Sequence, residues 1–290
     1  MELLRALAAL TYPPGAELEP VARALDLPPL PTASAHYDLF GFQLYPYASV
    51  QLGSEGMLGG EARDRVGGFW RALGLNPPAE PDHLAGLLGL YASLADQESA
   101  GIGPARRARA ALAWEHLLPW LPIYLDRVQE LAPGFYAAWA KLLAEALASS
   151  CSEVEMPTQL PLHLRAAAPP PNPASEGYEA FLDALLAPVR SGLVLTRADL
   201  ARCGRAIGTG SRSGGRRLIL AGLVAQDGQA TWGWLAREAK RWEVRHTRLE
   251  SPSPIAAFWS ERAGLTAARC LELAHGLKGS KARRPVVAGN

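Results

Sequence analysis

Apolar residues recur with helical spacing along most of the chain. Within residues 84–95, the apolar positions that fall on one helical face are Leu84, Leu87, Leu88, Tyr91 and Ala95. Similar stripes run through residues 114–128 and 135–146, and no segment alternates apolar and polar residues over the length of a strand. The pattern therefore predicts an all-α fold.

Prolines divide the predicted helices into two groups. Residues 151–176 contain six prolines, three of them consecutive, and we expect an extended linker without helix there. The linker would join a helical bundle at 1–150 to a smaller, basic helical module at 177–276. Residues 277–290 are rich in basic residues and are predicted to be a disordered tail. Within the second module, helices are predicted at 178–186, 197–207, 216–226, 231–245 and 254–276.

The net charge of +1 is unevenly distributed along the chain. Residues 1–189 contain 11 Lys and Arg against 21 Asp and Glu, whereas residues 190–290 contain 18 against 7. This asymmetry suggests two different partner surfaces, or one half docking on the other. The alternative is that solvent-facing helix surfaces simply differ in sign.

Cysteine usage and hydropathy limit where the protein acts. The three cysteines are far apart and match no metal-binding spacing, so we expect no disulfide framework. No segment approaches the roughly 20 apolar residues that span a bilayer, so membrane insertion is not expected. The first 15 residues predict an amphipathic helix stopped by Pro13 and Pro14, not a signal peptide. Together these features indicate a cytoplasmic protein.

Three polar residues, Glu80, Asp82 and His83, precede the apolar helix at residue 84. They could form an acid–base or metal constellation. The simpler interpretation is structural, because aspartate is a preferred N-cap and carboxylates are favoured at the positive end of a helix dipole. We therefore predict that Asp82 caps this helix, while His83 needs a further explanation because an apolar residue could occupy its position.

A second polar cluster lies at 113–128, where two prolines interrupt a helical pattern. We predict that one helix ends near His116 and that the next begins at Pro119, placing His116 and Trp120 at a corner. His83 and His116 are isolated from other histidines, and neither belongs to an HxxxH or HExxH pattern, so no metal site is expected. There is no GxSxG sequence or activated cysteine to suggest catalysis.

The basic module leaves two alternatives open. Residues 208–217 form a glycine-rich stretch ending in arginines, but it lacks the Lys-Ser/Thr of a P-loop and is a weak anion-binding candidate. The helix at 197–207, with Thr196 as its N-cap, resembles the first helix of a helix-turn-helix. The turn after it is too long for that motif. Although both signals are weak, a DNA-binding regulator and a nucleotide-binding protein remain the two alternatives for this module.

Several stretches occur in an order that resembles the TorD/DmsD/NarJ family of redox-enzyme maturation chaperones. They are LLRALAALTYPPGAEL, LYPYASVQL, GGEARDRVGGFWRALGL, EPDHLAGLLGLYASLADQE, EHLLPWLPIYLDRV and FYAAWAKLLAEAL. The resemblance covers residues 1 to about 150. One departure is Ala48, which stands where the family usually has an acidic residue.

The resemblance implies a TorD-like helical bundle that performs no catalysis and needs no cofactor. Such a protein would be a cytoplasmic chaperone that binds a molybdopterin-dependent oxidoreductase precursor, through its twin-arginine signal peptide or its apo-form. It would assist cofactor insertion and proofreading before export, and molybdenum-cofactor biosynthesis proteins are further candidate partners. We do not expect it to bind nucleic acid, although a DNA-binding regulator acting through the basic module is the alternative.

The expected client-binding residues follow from the same resemblance. Acids would pair with client arginines, aromatics would hold the apolar part of the client, and a proline would shape the corner. The residues are Tyr45, Tyr47, Glu80, Asp82, His83, His116, Pro119 and Trp120.

Overall fold

The computed structural model describes residues 1–152, 157–210, 214–249 and 253–282, with residue 253 and residues 277–282 given only as helix backbone. The described residues contain seventeen α-helices and no strand, which confirms the predicted all-α fold. None of the described helices is both long and apolar enough to cross a membrane. Cys151, Cys203 and Cys270 are free and buried.

The helices form two compact units. The first comprises Met1–Ala167 together with Arg248–Phe258, and the second comprises Ala168–Thr247 together with Trp259–Asn290. The helices of the first unit are α1 (Glu2–Ala9), α2 (Glu19–Ala24), α3 (Ala33–His36), α4 (Ala48–Leu52), α5 (Gly60–Ala72), α6 (Leu84–Ser99), α7 (Gly103–Leu112), α8 (Leu121–Leu131), α9 (Phe135–Cys151) and α10 (Leu162–Ala166).

Helix α6 is at the centre of the first unit and packs against α1 and α7. The predicted apolar face of α6 is buried, and Leu84, Leu87, Leu88 and Tyr91 are inaccessible to solvent. Burying each such side chain contributes roughly 1.5–3 kcal/mol. Helix α9 packs on α1 and α8, and Trp139 of α9 donates its indole N–H to the Leu7 carbonyl oxygen at 2.9 Å. The core of this unit therefore depends on helix α6 and on buried aromatic side chains whose polar groups have hydrogen-bond partners.

The corner after α7 differs from the prediction. Residues Ala113–Leu117 form a π-helical turn, in which the Leu118 amide donates to the Ala113 carbonyl oxygen at 2.8 Å. The next helix, α8, begins at Leu121, so Pro122 lies in its first turn while Pro119 lies in the turn between the helices. The break was predicted correctly, but the wrong proline was placed at the helix start, because the widened turn shifts the register of the corner.

Two short helices lie in the segment predicted to be an extended linker. Helix α10 follows Pro161, and the helix Pro173–Glu176 begins at a proline. Proline is tolerated in a first helical turn because its missing N–H would have no partner there. The backbone amide of Leu162 donates to the Glu115 carboxylate at 2.7 Å, which holds α10 on the first unit. The expectation that prolines exclude helix from 151–176 is therefore wrong, whereas the predicted domain limits stay a prediction.

The second unit is also helical. Its helices are α11 (Pro173–Glu176), α12 (Tyr178–Leu185), α13 (Pro188–Ser191), α14 (Arg197–Ala206), α15 (Arg216–Gln226), α16 (Gly228–His246) and the part of α17 (Ser253–Ala282) that follows Phe258. Five of these match the helices predicted from the sequence, with α17 extending further than expected. The core includes the buried indoles of Trp232, Trp242 and Trp259. Of the predicted disordered tail, residues 283–290 lie outside the described residues.

Helix α14 begins with a complete capping box, and its N-cap is Thr196, as predicted. The Asp199 amide donates to the Thr196 hydroxyl at 3.3 Å, and the Thr196 amide donates to the Asp199 carboxylate at 2.8 Å. Both residues are buried, so these groups have no access to water as a substitute partner. The box should therefore contribute to the stability of the second unit.

We expect Thr196→Ala to lower the free energy of unfolding by about 1–2 kcal/mol, because it removes the acceptor for the first-turn amide. Thr196→Ser retains the hydroxyl and serves as the control. Urea unfolding followed by tryptophan fluorescence would measure both variants. Equal stability of the Ala and Ser variants would contradict a stabilising role for the cap.

Candidate functional site

The candidate site is built where two chain segments lie side by side in the first unit. Tyr47 and His83 form an isolated antiparallel β-bridge. The Leu84 amide donates to the Pro46 carbonyl oxygen at 2.8 Å, and the Ala48 amide donates to the Asp82 carbonyl oxygen at 3.0 Å. Helix α4 and helix α6 both begin at this pair of segments, which we call the bridge.

Asp82 acts as a cap, but not of the helix predicted from the sequence. Its carboxylate accepts the backbone amide of Ser49 at 3.0 Å, in the first turn of α4. The N-cap of α6 is instead His83, whose Nδ1 accepts the Ala85 amide at 3.2 Å. Asp82 is 1% exposed, so its carboxylate interacts with groups of the protein and not with solvent. The prediction of a capping role was right, and the helix assigned to it was wrong.

The hydrogen bond to Ala85 determines the protonation state of His83. Because Nδ1 accepts an N–H, the ring must be neutral with its proton on Nε2. Burial lowers the pKa of His83, whereas the charges of Glu80 and Asp82 act in the opposite direction. This answers why a histidine occupies the position: it caps the helix and presents an aromatic ring beside two acids.

Two tyrosines pack against the His83 ring. Tyr12 stacks on it with centroids 5.4 Å apart and planes inclined by 20°, and Tyr47 meets it edge-on at 4.8 Å. Burial, followed by a hydrogen bond to Glu80, raises the pKa of the Tyr47 hydroxyl. Glu80 is exposed, as is Tyr12, of whose surface 53% is accessible. We call Tyr12, Tyr47, Glu80 and His83 the aromatic–acid patch.

Sequence reasoning missed Tyr12. An aromatic residue directly after a helix and before two prolines, as Tyr12 is, is a signal that could have identified it. Tyr45 is half-buried, and its carbonyl oxygen accepts the Tyr47 amide at 2.9 Å. It thus supports the backbone of the bridge.

The remaining predicted residues lie in the interior at the π-helical corner. Trp120 is 1% exposed and donates its indole N–H to the His116 carbonyl oxygen at 2.8 Å. Pro119 and His116 are buried as well. The structure therefore separates the eight predicted residues into a group at the bridge and a buried group at this corner.

His116 belongs to a buried pair of imidazoles. Its Nδ1 lies 3.3 Å from Nε2 of His163 on α10, and Phe69 packs edge-on against the His116 ring. Burial is the main cause that lowers the pKa of His116 to about 3 and that of His163 to about 4. Both rings are therefore neutral at physiological pH. Across the described residues there is no group of three or more His, Cys, Asp or Glu that could hold a metal ion.

The two arginines that end the glycine-rich stretch, Arg216 and Arg217, are not directed towards a common anion-binding site. Arg216 donates to the Leu195 carbonyl oxygen at 2.8 Å, and Arg217 pairs with Asp183 and with Glu179. Residues 211–213 of this stretch lie outside the described residues. The arginines that open α15 are thus used to hold the unit together.

Residues 16–125, fewer than half of the 290 residues of the chain, match a family model described as nitrate reductase delta subunit. The match confirms the resemblance to NarJ and its relatives. Members of the family are chaperones of molybdoenzyme maturation rather than catalytic subunits. No curated protein matches the chain.

We expect Asp82→Ala to lower the free energy of unfolding by about 1–3 kcal/mol, because it leaves the buried Ser49 amide without an acceptor. The control is Asp64→Ala, which removes an exposed carboxylate from α5. Chemical denaturation measures both changes. A loss in Asp82→Ala no larger than that in Asp64→Ala would show that the bridge does not need this carboxylate.

The imidazole pair predicts a pH dependence of stability. Because the folded-state pKa values lie below the ordinary value of about 6.5, the unfolded chain binds more protons as pH falls below 6.5. Above pH 6.5 the two buried, neutral histidines do not oppose folding. As the pH falls from 6.5 towards 4, the free energy of unfolding decreases by up to about 1.4 kcal/mol per pH unit for each histidine.

His163→Gln should therefore show a shallower loss of stability between pH 6.5 and 4.5 than the parent protein. His275→Gln, which alters an exposed histidine of the second unit, is the control. Urea titrations at several pH values give the slopes. Parallel pH profiles for the parent and His163→Gln would refute the assignment.

Proposed function

We propose that this protein is a chaperone for a molybdopterin-dependent oxidoreductase precursor, and that its first unit binds the twin-arginine signal peptide of this client. Binding in the cytoplasm would hold the client until its cofactor is inserted and export can proceed. The observation that carries the proposal is the aromatic–acid patch, which lies beside the start of α6, and residues 16–125 around it match the nitrate reductase delta subunit family model.

The chemistry of the patch suits paired guanidinium groups. An arginine side chain stacks on aromatic faces and makes bidentate hydrogen bonds to carboxylates. Tyr12 offers an exposed ring, and Glu80 offers an exposed carboxylate already oriented by Tyr47. A cation–π contact at an exposed site contributes about 0.5–1 kcal/mol, and the charge-assisted hydrogen bonds add to it.

The buried residues of the predicted site then act indirectly. Asp82 would fix the bridge through Ser49, and so set the positions of Tyr47 and His83. His116, Pro119 and Trp120 would keep the corner before α8 in shape, since their side chains are enclosed. We propose these four as positioning residues and the members of the patch as the residues that contact the client.

The DNA-binding alternative has less support. A recognition helix needs basic side chains directed outwards into the major groove. At the start of α15, Arg216 and Arg217 are instead engaged with Leu195, Asp183 and Glu179 of the same unit. We therefore favour a peptide client over a nucleic acid.

The test uses the full chain and a labelled synthetic peptide with two adjacent arginines followed by an apolar segment. Fluorescence anisotropy should show saturable binding, and replacement of both arginines by lysines should weaken it about tenfold. Lysine keeps the charge but loses the planar fork and the stacking surface. Equal affinity for the two peptides would show that the protein does not recognise guanidinium groups.

Variants of the protein locate the binding surface. Tyr12→Ala and Glu80→Gln should each weaken peptide binding about five- to tenfold at unchanged fold stability. The controls are Tyr37→Ala and Glu17→Gln, which alter an exposed tyrosine and an exposed acid outside the patch. If the control variants lose as much affinity as the patch variants, the peptide binds elsewhere.

A further inference from the structure

Helix α13 and helix α17 of the second unit approach each other closely. The Thr266 hydroxyl of α17 donates to the Ser191 carbonyl oxygen at 2.8 Å. Gly192 has φ of 74°, and a Cβ atom added to it would lie 2.4 Å from the Ala263 backbone nitrogen. A side chain at this position would force the helices apart, so the contact requires glycine.

This contact brings three arginines together. Arg190 precedes Ser191 on α13, and Arg262 and Arg269 lie four residues before and three residues after Thr266 on α17. Residues three and four apart share a helix face, so both α17 arginines lie on the face that meets α13. We call Arg190, Arg262 and Arg269 the arginine cluster.

The electrostatics of the cluster show the proximity of the three charges. Burial is the first cause of a lowered pKa at Arg262, and the charges of Arg190 and Arg269 lower it further, while Glu261 opposes them. All three side chains are partly buried. Like charges at such proximity repel one another more strongly than they would in water.

Two members of the cluster also have unpartnered hydrogen-bond donors. Within the part of the chain that the structure describes, Nε of Arg190 and Nη1 of Arg269 are buried and have no hydrogen-bond partner. Other arginines of the unit are paired: Arg202 and Arg241 with Glu238, and Arg217 with Asp183. Buried donors without acceptors cost free energy, more when they are charged, so the cluster is incomplete as a purely structural element.

We propose that the arginine cluster is a binding site for a small, multiply charged oxyanion of the phosphate or diphosphate class. Such an anion presents several acceptor oxygens in a geometry that guanidinium forks match, and its charge would offset the repulsion among the arginines. Three arginines gathered around one helix contact form a compact site, whereas a nucleic-acid duplex needs basic groups spread along its backbone. The proposal is independent of the client-binding function of the first unit.

The test is calorimetric titration of the full chain with inorganic diphosphate in low-salt buffer free of other polyvalent anions. The parent should bind with one site per chain. Arg190→Gln and Arg269→Gln should each weaken binding at least tenfold, while Arg205→Gln, which removes an exposed arginine of α14, should bind as the parent does. Absence of binding to the parent, or equal weakening in Arg205→Gln, would overturn the proposal.

Thermal unfolding gives a second readout that does not depend on the heat of binding. Without anion, Arg269→Gln should melt no lower than the parent, because it relieves repulsion without breaking an ion pair. With saturating diphosphate, the melting temperature of the parent should rise and that of Arg269→Gln should change much less. Equal shifts in the parent and the variant would place the anion at another site and overturn the proposal.

Discussion

The bridge between residues 46–49 and 82–84 is the constraint on which the first unit depends. Three hydrogen bonds hold it: Leu84 to Pro46, Ala48 to the Asp82 carbonyl oxygen, and Ser49 to the Asp82 carboxylate. Helix α6, whose apolar face is fully buried, starts there, and so does α4. Because the same backbone contact places Tyr47 against His83, the aromatic–acid patch follows from the way the core is assembled.

The sequence predicted the helices well because their apolar faces repeat with a local period. It did not predict which helix Asp82 caps, since the partner amide at Ser49 is 33 residues away and leaves no local pattern. A preference for aspartate before a helix indicates that the carboxylate will accept a backbone N–H, but not from which helix. Tyr12 was missed for a related reason: its stacking partner, His83, is distant in the sequence.

The corner before α8 shows a second limit of sequence reasoning. Two prolines predicted a break correctly, yet the π-helical turn decides where the next helix starts. The indole N–H of Trp120 finds an acceptor at His116, so this large side chain is buried without an unsatisfied polar group. A surface aromatic and a core aromatic at a helix break look the same in sequence, because the hydrogen bond that distinguishes them forms only in the folded turn.

Net charge is an equally indirect guide in the second unit. Residues 190–290 contain 18 Lys and Arg against 7 Asp and Glu, which suggests a broadly basic surface. Several of these arginines are neutralised within the unit, as Arg217 is by Asp183 and Arg241 by Glu238. Buried guanidinium donors without an acceptor occur instead at Arg190 and Arg269, near the place where Gly192 lets α13 reach α17. The positive groups that a ligand would contact are therefore determined less by the excess of basic residues than by which of them keep hydrogen-bond donors without an acceptor.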